Sequence, residues 1–176
     1  MKALYAYLIS FLIVLADHAT KWLATDKLDY ARPIEILPVL DMMLVHNQGA
    51  AFSFLSDAGG WQRWFFAGIA VGMSVVLVVW LAKLPRNKTW LATCLALVLG
   101  GAVGNLIDRV RFGYVVDFIS VHWESWYFPA FNVADIAISV GAFMLAIEVL
   151  FLDKEDGNGG SVKGSKEDRT NGSKAR

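Results

Sequence analysis

Four long stretches of the chain are almost purely apolar, roughly 3–24, 61–84, 90–107 and 134–152, and the polar residues crowd into the intervals between them. A helix rises about 1.5 Å per residue, so about 20 apolar residues cross the ~30 Å hydrocarbon core of a bilayer. The pattern therefore predicts four membrane-spanning helices. Trp61 and Trp64 open the second, Trp80 closes it and Trp90 opens the third, which matches the preference of aromatic rings for the lipid–water boundary. Gly68, Gly72, Gly100, Gly101, Gly104 and Gly141 supply the small side chains that let membrane helices pack closely.

The intervals are patterned too. Ile34 to Leu37, between Pro33 and Pro38, reads as a short strand, and Met42 to His46 as a second. Asn47-Gln-Gly49 reads as a turn, after which Ala50 to Ser53 resumes an extended pattern. In the second long interval, Tyr114 to Val121 is rich in β-branched residues, with Asp117 on one face with Val115 and Ile119. The expected fold is an all-α membrane protein of four transmembrane helices, with a small extracytoplasmic β-sheet built from the two outer loops.

Lysine and arginine orient the chain. The short connection between the second and third spans carries Lys83, Arg86 and Lys88 and no acid, so it is expected on the cytoplasmic side. Both chain ends then lie in the cytoplasm, and the 25–60 and 108–133 connections face outside. The apolar run that opens the first span leads into Asp17, His18 and Lys21 and into no small-residue cleavage pattern, so the span is read as a retained helix.

With this layout the polar groups fall at one depth. Asp17 lies ~25 Å along the first helix, near its outer end, and shares a face with Ser10 and Lys21. Asn105 and Arg109 belong to the outer end of the third helix; Asn132 and Asp135 open the fourth; Asp117 comes from the connection between them, and Asn47 from the first loop. Carboxylates beside hydrocarbon are costly. Several have ordinary explanations: Asp17 with Lys21 is a helical ion pair, Asn132 with Asp135 resembles a helix cap, and Asp108 with Arg111, or Arg109 with a nearby acid, could be routine pairing. Asp117, inside an apolar strand with no sequence neighbour to pair with, has none. Glu148 is apart from the group, near the cytoplasmic end.

Composition sharpens the class. Of 176 residues, 56% are apolar and only 18% charged, against about 25% charged in soluble domains. From Asp153 onward the chain holds six of its 16 basic and five of its 16 acidic residues, with no apolar periodicity. The domain reading is a membrane unit over 1–152 and a disordered cytoplasmic tail over 153–176. A net charge of zero gives no general attraction to nucleic acid. The single cysteine, Cys94, lies within an apolar run and reads as a small buried hydrophobe.

Two carboxylates at one site cannot both ionise easily, so one holds a proton while the other activates water. Asp117 and Asp135 are the natural pair for such hydrolysis of an amide, with Asn47, Asn105, Asn132 and Arg109 as donors that orient carboxylates and substrate. His18, His46 and His122 show no metal-ligand spacing and read as interfacial or hydrogen-bonded histidines. A Ser–Lys dyad from Ser53 or Ser120 with Lys21 or Lys27 has no motif behind it. A proton-coupled transporter would spread its acids through the bilayer depth, and a scaffold would leave Asp117 unexplained.

Five motifs together resemble the bacterial lipoprotein signal peptidase (signal peptidase II) family: Asp17-x-x-x-Lys21, Asn47-Gln-Gly-Ala-Ala-Phe-Ser53, Gly104-Asn-Leu-Ile-Asp-Arg109, Val116-Asp-Phe118 and Phe131-Asn-Val-Ala-Asp135. The resemblance covers Ala16 to about Glu148. It implies an aspartic endopeptidase of the bacterial inner membrane whose catalytic dyad is Asp117 and Asp135. Asp17, Lys21, Asn47, Gly49, Asn105, Asp108, Arg109 and Asn132 match positions that shape or support the site. The implied substrate is a prolipoprotein, cut just before a cysteine bearing diacylglyceryl. No metal or other cofactor is expected; membrane lipid is the other expected partner, and the protein is expected to be a monomer.

Overall fold

The computed structural model describes residues 2–49 and 60–152. The extended reading of Ala50 to Ser53 and the tail from Asp153 lie outside the described residues.

Four helices form where the apolar runs predict them: α1 (Lys2–Lys27), α2 (Trp61–Lys83), α3 (Thr89–Phe112) and α4 (Val133–Ile147), the last continued by a π-helical turn over Glu148–Leu152. All four are long and apolar enough to cross a membrane. Most of their side chains are exposed to what would be lipid, including Phe11, Trp22, Val75 and Phe143. α3 is the exception, with over half of its apolar window buried, because it is the central post against which the other three pack.

Glycine makes that packing close. A Cβ on Gly100 would lie 2.8 Å from Ile13 Cβ of α1, and one on Gly141 would lie 2.8 Å from the Cys94 carbonyl oxygen of α3. Ser10 adds a buried bond across the α1–α3 contact, its hydroxyl donating to the Ala96 carbonyl at 2.8 Å. Cys94 is fully buried, as expected of a small hydrophobe.

The sheet comes from both long connections. β1 (Ile34–Leu37) and β2 (Leu40–Asn47) precede α2; β3 (Val115–Trp123) and β4 (Trp126–Tyr127) follow α3, in the antiparallel order β1-β2-β3-β4. Pro33 and Pro38 bound β1, which suits an edge strand. β2 carries a bulge: Met42 pairs with Ile119 but Val45 with Asp117, so one extra β2 residue is absorbed between them. β3 lies in the centre, and its first four residues are buried on both faces, unlike the one-sided burial expected of a strand over water.

One expected boundary is corrected. The third helix does not stop near Ile107 but runs to Phe112, ending at Gly113, whose φ of 87° supplies the left-handed residue that closes it. Asp108, Arg109 and Arg111 are therefore helical residues, and the second connection begins five residues later than the charge pattern suggests.

Candidate active site

The site is assembled where the C-terminal ends of α1 and α3 meet the N-terminus of α4 beneath the sheet. At its base lies Lys21, only 4% exposed. Its ammonium forms ion pairs with Asp17 Oδ2 at 2.8 Å and Asp108 Oδ2 at 2.8 Å, and donates to Asn105 Oδ1 at 3.1 Å. Three acceptors match the three protons of an ammonium. The expected Asp17–Lys21 pair is thus present within a larger cluster. Asp108 is taken up by α1 and not by Arg111, which is exposed over Phe112.

Each of the two carboxylates of the base also ties down another element. Asp17 Oδ1 accepts the Ala134 backbone N–H at 2.9 Å, so α1 caps α4; Asp108 Oδ2 accepts the Val116 N–H at 3.1 Å, so α3 anchors β3 one residue before Asp117. Gly104 makes room for this, since a Cβ there would stand 2.7 Å from Asp17 Oδ2.

Above the base stand the two aspartates. Asp117 is 1% exposed, and its oxygens each accept an amide: Asn132 Nδ2 donates to Oδ1 at 2.6 Å and Asn47 Nδ2 donates to Oδ2 at 2.9 Å. Asp135 Oδ1 accepts from Asn105 Nδ2 at 2.7 Å, and its Oδ2 accepts from the Asn132 backbone N–H at 3.3 Å. The asparagine orientations follow from their other contacts. Asn47 Oδ1 accepts from Gly49 N–H and Asn132 Oδ1 from Asp135 N–H, while Asn105 Oδ1 receives Lys21. A backbone N–H or an ammonium can only donate, so each NH2 must face a carboxylate.

Asn132 and Asp135 also form a capping box at the start of α4. The capping role and the convergence on Asp117 are therefore one arrangement. Phe131 positions it, because its carbonyl accepts N–H groups of Phe118 and Ile119, and its own N–H donates to the Ile119 carbonyl.

Burial is the largest influence on Asp117 and raises its pKa to about 6; the negative charge of Asp135 adds to the rise, while the Asn47 and Asn132 amides and Lys21 oppose it. A carboxyl that keeps its proton close to neutrality, beside a second carboxyl, is the condition for acid–base work by the pair.

Arg109 reaches over this region. Its guanidinium lies 5.7 Å from the Phe66 ring centre, donates to the Asn105 carbonyl at 3.3 Å and feels the charges of Asp135, Asp117 and Asp108. Gly49 completes the rim: its φ is +89°, and a Cβ would collide with the Phe66 ring at 2.5 Å.

All ten residues singled out from sequence thus occupy this end of the molecule. Phe66 was not among them, since one aromatic in an apolar run carries no signal. His18 was read as interfacial. Its Nε2 stands 3.8 Å from Asp108 Oδ1 and has no hydrogen-bond partner, while Nδ1 contacts the Val14 carbonyl. His122 packs on Tyr127 and lies 3.4 Å from buried Asp41, while His46 is stacked against Tyr114. Glu148 is buried at the other end, 4.0 Å from Lys88. Of the Ser–Lys candidates, Ser53 lies outside the described residues, Lys21 is fully engaged and Lys27 is exposed beside Asp26. Among the described residues, no cluster of three or more His, Cys, Asp or Glu side chains is arranged to hold a metal.

Residues 9–151 match the family model described as signal peptidase (SPase) II. A lipoprotein signal peptidase of Ectopseudomonas mendocina is 57% identical over 149 residues, covering 84% of this chain and 88% of its own length. One from Acinetobacter baylyi is 50% identical over 147 residues, covering 84% and 82%. A bacterial membrane enzyme solved in meso at 1.9 Å superposes with a TM-score of 0.74 at 30% identity, over 84% of this chain and 93% of that one.

Proposed function

The chain belongs to the signal peptidase II family, and on that footing we propose that Asp117 and Asp135 are the carboxylates with which it cleaves lipoprotein precursors. It is a membrane aspartic endopeptidase, and its substrates are prolipoproteins. The transporter reading falls away with family membership. The observation that carries the dyad is the sharing of Asn132: its amide donates to Asp117 at 2.6 Å, while its backbone N–H donates to Asp135.

In this mechanism Asp117 enters as the protonated partner, favoured by a pKa of about 6, and Asp135 is the base. Asp135 removes a proton from water as the oxygen attacks the scissile carbonyl carbon. The carbonyl oxygen gathers charge and takes the proton of Asp117. Collapse of the tetrahedral intermediate breaks the C–N bond: the proton held by Asp135 passes to the leaving nitrogen, and one hydroxyl of the intermediate returns its proton to Asp117 as the new carboxyl forms. The pair ends with one proton, as it began. Arg109 and the asparagine amides hold the two carboxyls and the peptide in register.

The bond cut is the one before the cysteine carrying diacylglyceryl. Such a precursor is anchored by its lipid, so its scissile bond lies at the membrane surface, at the depth of the dyad, and its acyl chains stay in the bilayer. The enzyme acts as a monomer in the inner membrane, with both ends cytoplasmic, the dyad at the outer face, a peptidase unit over 1–152 and a dispensable tail. Arg86→Cys should be labelled by impermeant thiol reagents only from inside, and Trp123→Cys only from outside, in a Cys94→Ala background.

The direct test is cleavage of a diacylglyceryl-modified precursor by purified protein, with the fragments weighed by mass spectrometry. Asp117→Asn and Asp135→Asn should each abolish cleavage while the protein stays folded, and the double variant should be no worse than either. Near-normal cleavage by either single variant would overturn the assignment.

A further inference from the structure

At the opposite end from the dyad, a cavity of about 220 Å³ opens between the N-terminal turns of α1, the end of α2 and the start of α3. A water molecule occupies about 30 Å³ of liquid, so the space holds several waters or one phosphate with its glycerol. Its polar lining is of one sign: Arg86 and Lys88 from the 84–88 connection, with the hydroxyl-bearing Tyr5 and Thr89 and no carboxylate. Leu81 and Pro85 close the apolar side.

Local structure makes this cationic character durable. Leu84 is extended, as the residue before Pro85 must be, which ends α2 and turns the chain outward. α3 then starts at Thr89 with no side-chain cap and no acid in its first turn. Its dipole adds partial positive charge beside the two cations. Lys88 also lies 4.0 Å from the buried Glu148 on the π-helical turn after α4, which offsets part of its charge and leaves Arg86 as the main cation of the recess. Arg86 is exposed, and a guanidinium offers phosphate two parallel donors.

The surroundings identify the source of the anion. Leu4 and Leu8, 71% and 52% exposed, flank Tyr5 along α1 as an exposed apolar face of a membrane-length helix. A basic recess at the end of a membrane span, over an apolar helix face, fits a lipid whose head is anionic and whose chains follow the helix. We propose that this cavity binds a phosphate group, that of an anionic phospholipid headgroup, away from and independent of the catalytic aspartates.

The test uses the full-length purified protein in neutral detergent, exposed to dioleoyl phosphatidylglycerol, to dioleoyl phosphatidylcholine, or to inorganic phosphate, with bound species counted by native mass spectrometry. Phosphatidylglycerol should be retained in preference to phosphatidylcholine. Arg86→Ala should weaken that retention about fivefold, the equivalent of ~1 kcal/mol for one basic side chain at an anionic surface; Arg86→Glu should weaken it further. Both variants should cleave precursor in detergent at the wild-type rate, which also shows that they fold. Equal retention of the two lipids, or phosphatidylglycerol retention unchanged in both Arg86 variants, would overturn the site. Inorganic phosphate that binds in an Arg86-dependent way and displaces the lipid would uphold the phosphate chemistry and overturn the lipid as its source.

Discussion

Asn132 donates its side-chain amide to Asp117 across 2.6 Å while its side-chain oxygen accepts the Asp135 backbone N–H at 2.9 Å. One residue therefore caps α4 and sets Asp117 against the start of that helix. The two jobs separate by substitution. Asn132→Ala should lose both the cap, about 1 kcal/mol, and the amide. Asn132→Ser keeps a capping oxygen and lacks the amide donors. Its thermal midpoint should stand above that of Asn132→Ala, with kcat still reduced ~100-fold or more, the scale of one misplaced orienting group. Thermal unfolding in detergent and precursor cleavage give the two readings; wild-type kcat in Asn132→Ser would show that the amide does not matter.

The raised pKa of Asp117 has a consequence for stability. Its carboxyl moves from 3.8 to about 6 in the folded state, so folding favours the protonated form. That contribution is whole below pH 4 and is lost as pH rises through 6. A shift of this size corresponds to at most ~3 kcal/mol. Asp117→Asn removes it, so the variant should gain on the wild type between pH 4 and pH 8. Thermal midpoints that keep a constant difference across that range would contradict a raised pKa. The activity profile should be bell-shaped, with both limbs belonging to the coupled pair.

Lys21 holds Asp17 and Asp108 together at 2.8 Å each. Lys21→Met leaves two buried carboxylates without their cation and should cost ~3–5 kcal/mol. Replacing the acids as well, in Asp17→Asn/Lys21→Met/Asp108→Asn, should restore much of that stability. Asp17→Asn alone keeps an acceptor for Ala134 N–H and leaves Lys21 paired with Asp108, so measurable turnover should remain. Equal stability of Lys21→Met and the triple variant would show that charge is not what the cluster balances.

The helices and the first two strands were legible because each is written in local signals: unbroken apolar runs of membrane length, and Pro33 and Pro38 bracketing β1. The last turn of α3 was not. Asp108 and Arg111 look like loop charges until Lys21, 87 residues away from Asp108, supplies a buried counter-ion. Depth arithmetic placed Asn47, Asn105, Asn132 and Asp117 at one level, but which amide faces which carboxylate depends on the β2 bulge and on the Phe131 bridge. Neither leaves a periodic trace. The two-residue β4 and the π-helical turn are too short for one, and Phe66 is set by packing alone.

Gly49 joins the two ways in which a glycine can be required. Its φ of +89° is a left-handed conformation in which a side chain costs about 1 kcal/mol or more, and its position leaves a Cβ only 2.5 Å from Phe66. The same backbone donates its N–H to Asn47 Oδ1 at 2.8 Å, which turns the Asn47 amide toward Asp117. Gly49→Ala should therefore act on the dyad through Asn47, lowering kcat by roughly 10–100-fold, the range expected when an orienting donor shifts by about 1 Å. Pairing it with Phe66→Leu removes the collision and leaves the backbone conformation strained. If the collision dominates, the double variant regains activity over Gly49→Ala; if the conformation dominates, it does not. Asn47→Ala should match the loss in Gly49→Ala, and combining the two should add little, because both act on one hydrogen bond. Fully additive losses, measured as kcat on the lipid-modified precursor, would show that Gly49 acts by some route other than Asn47.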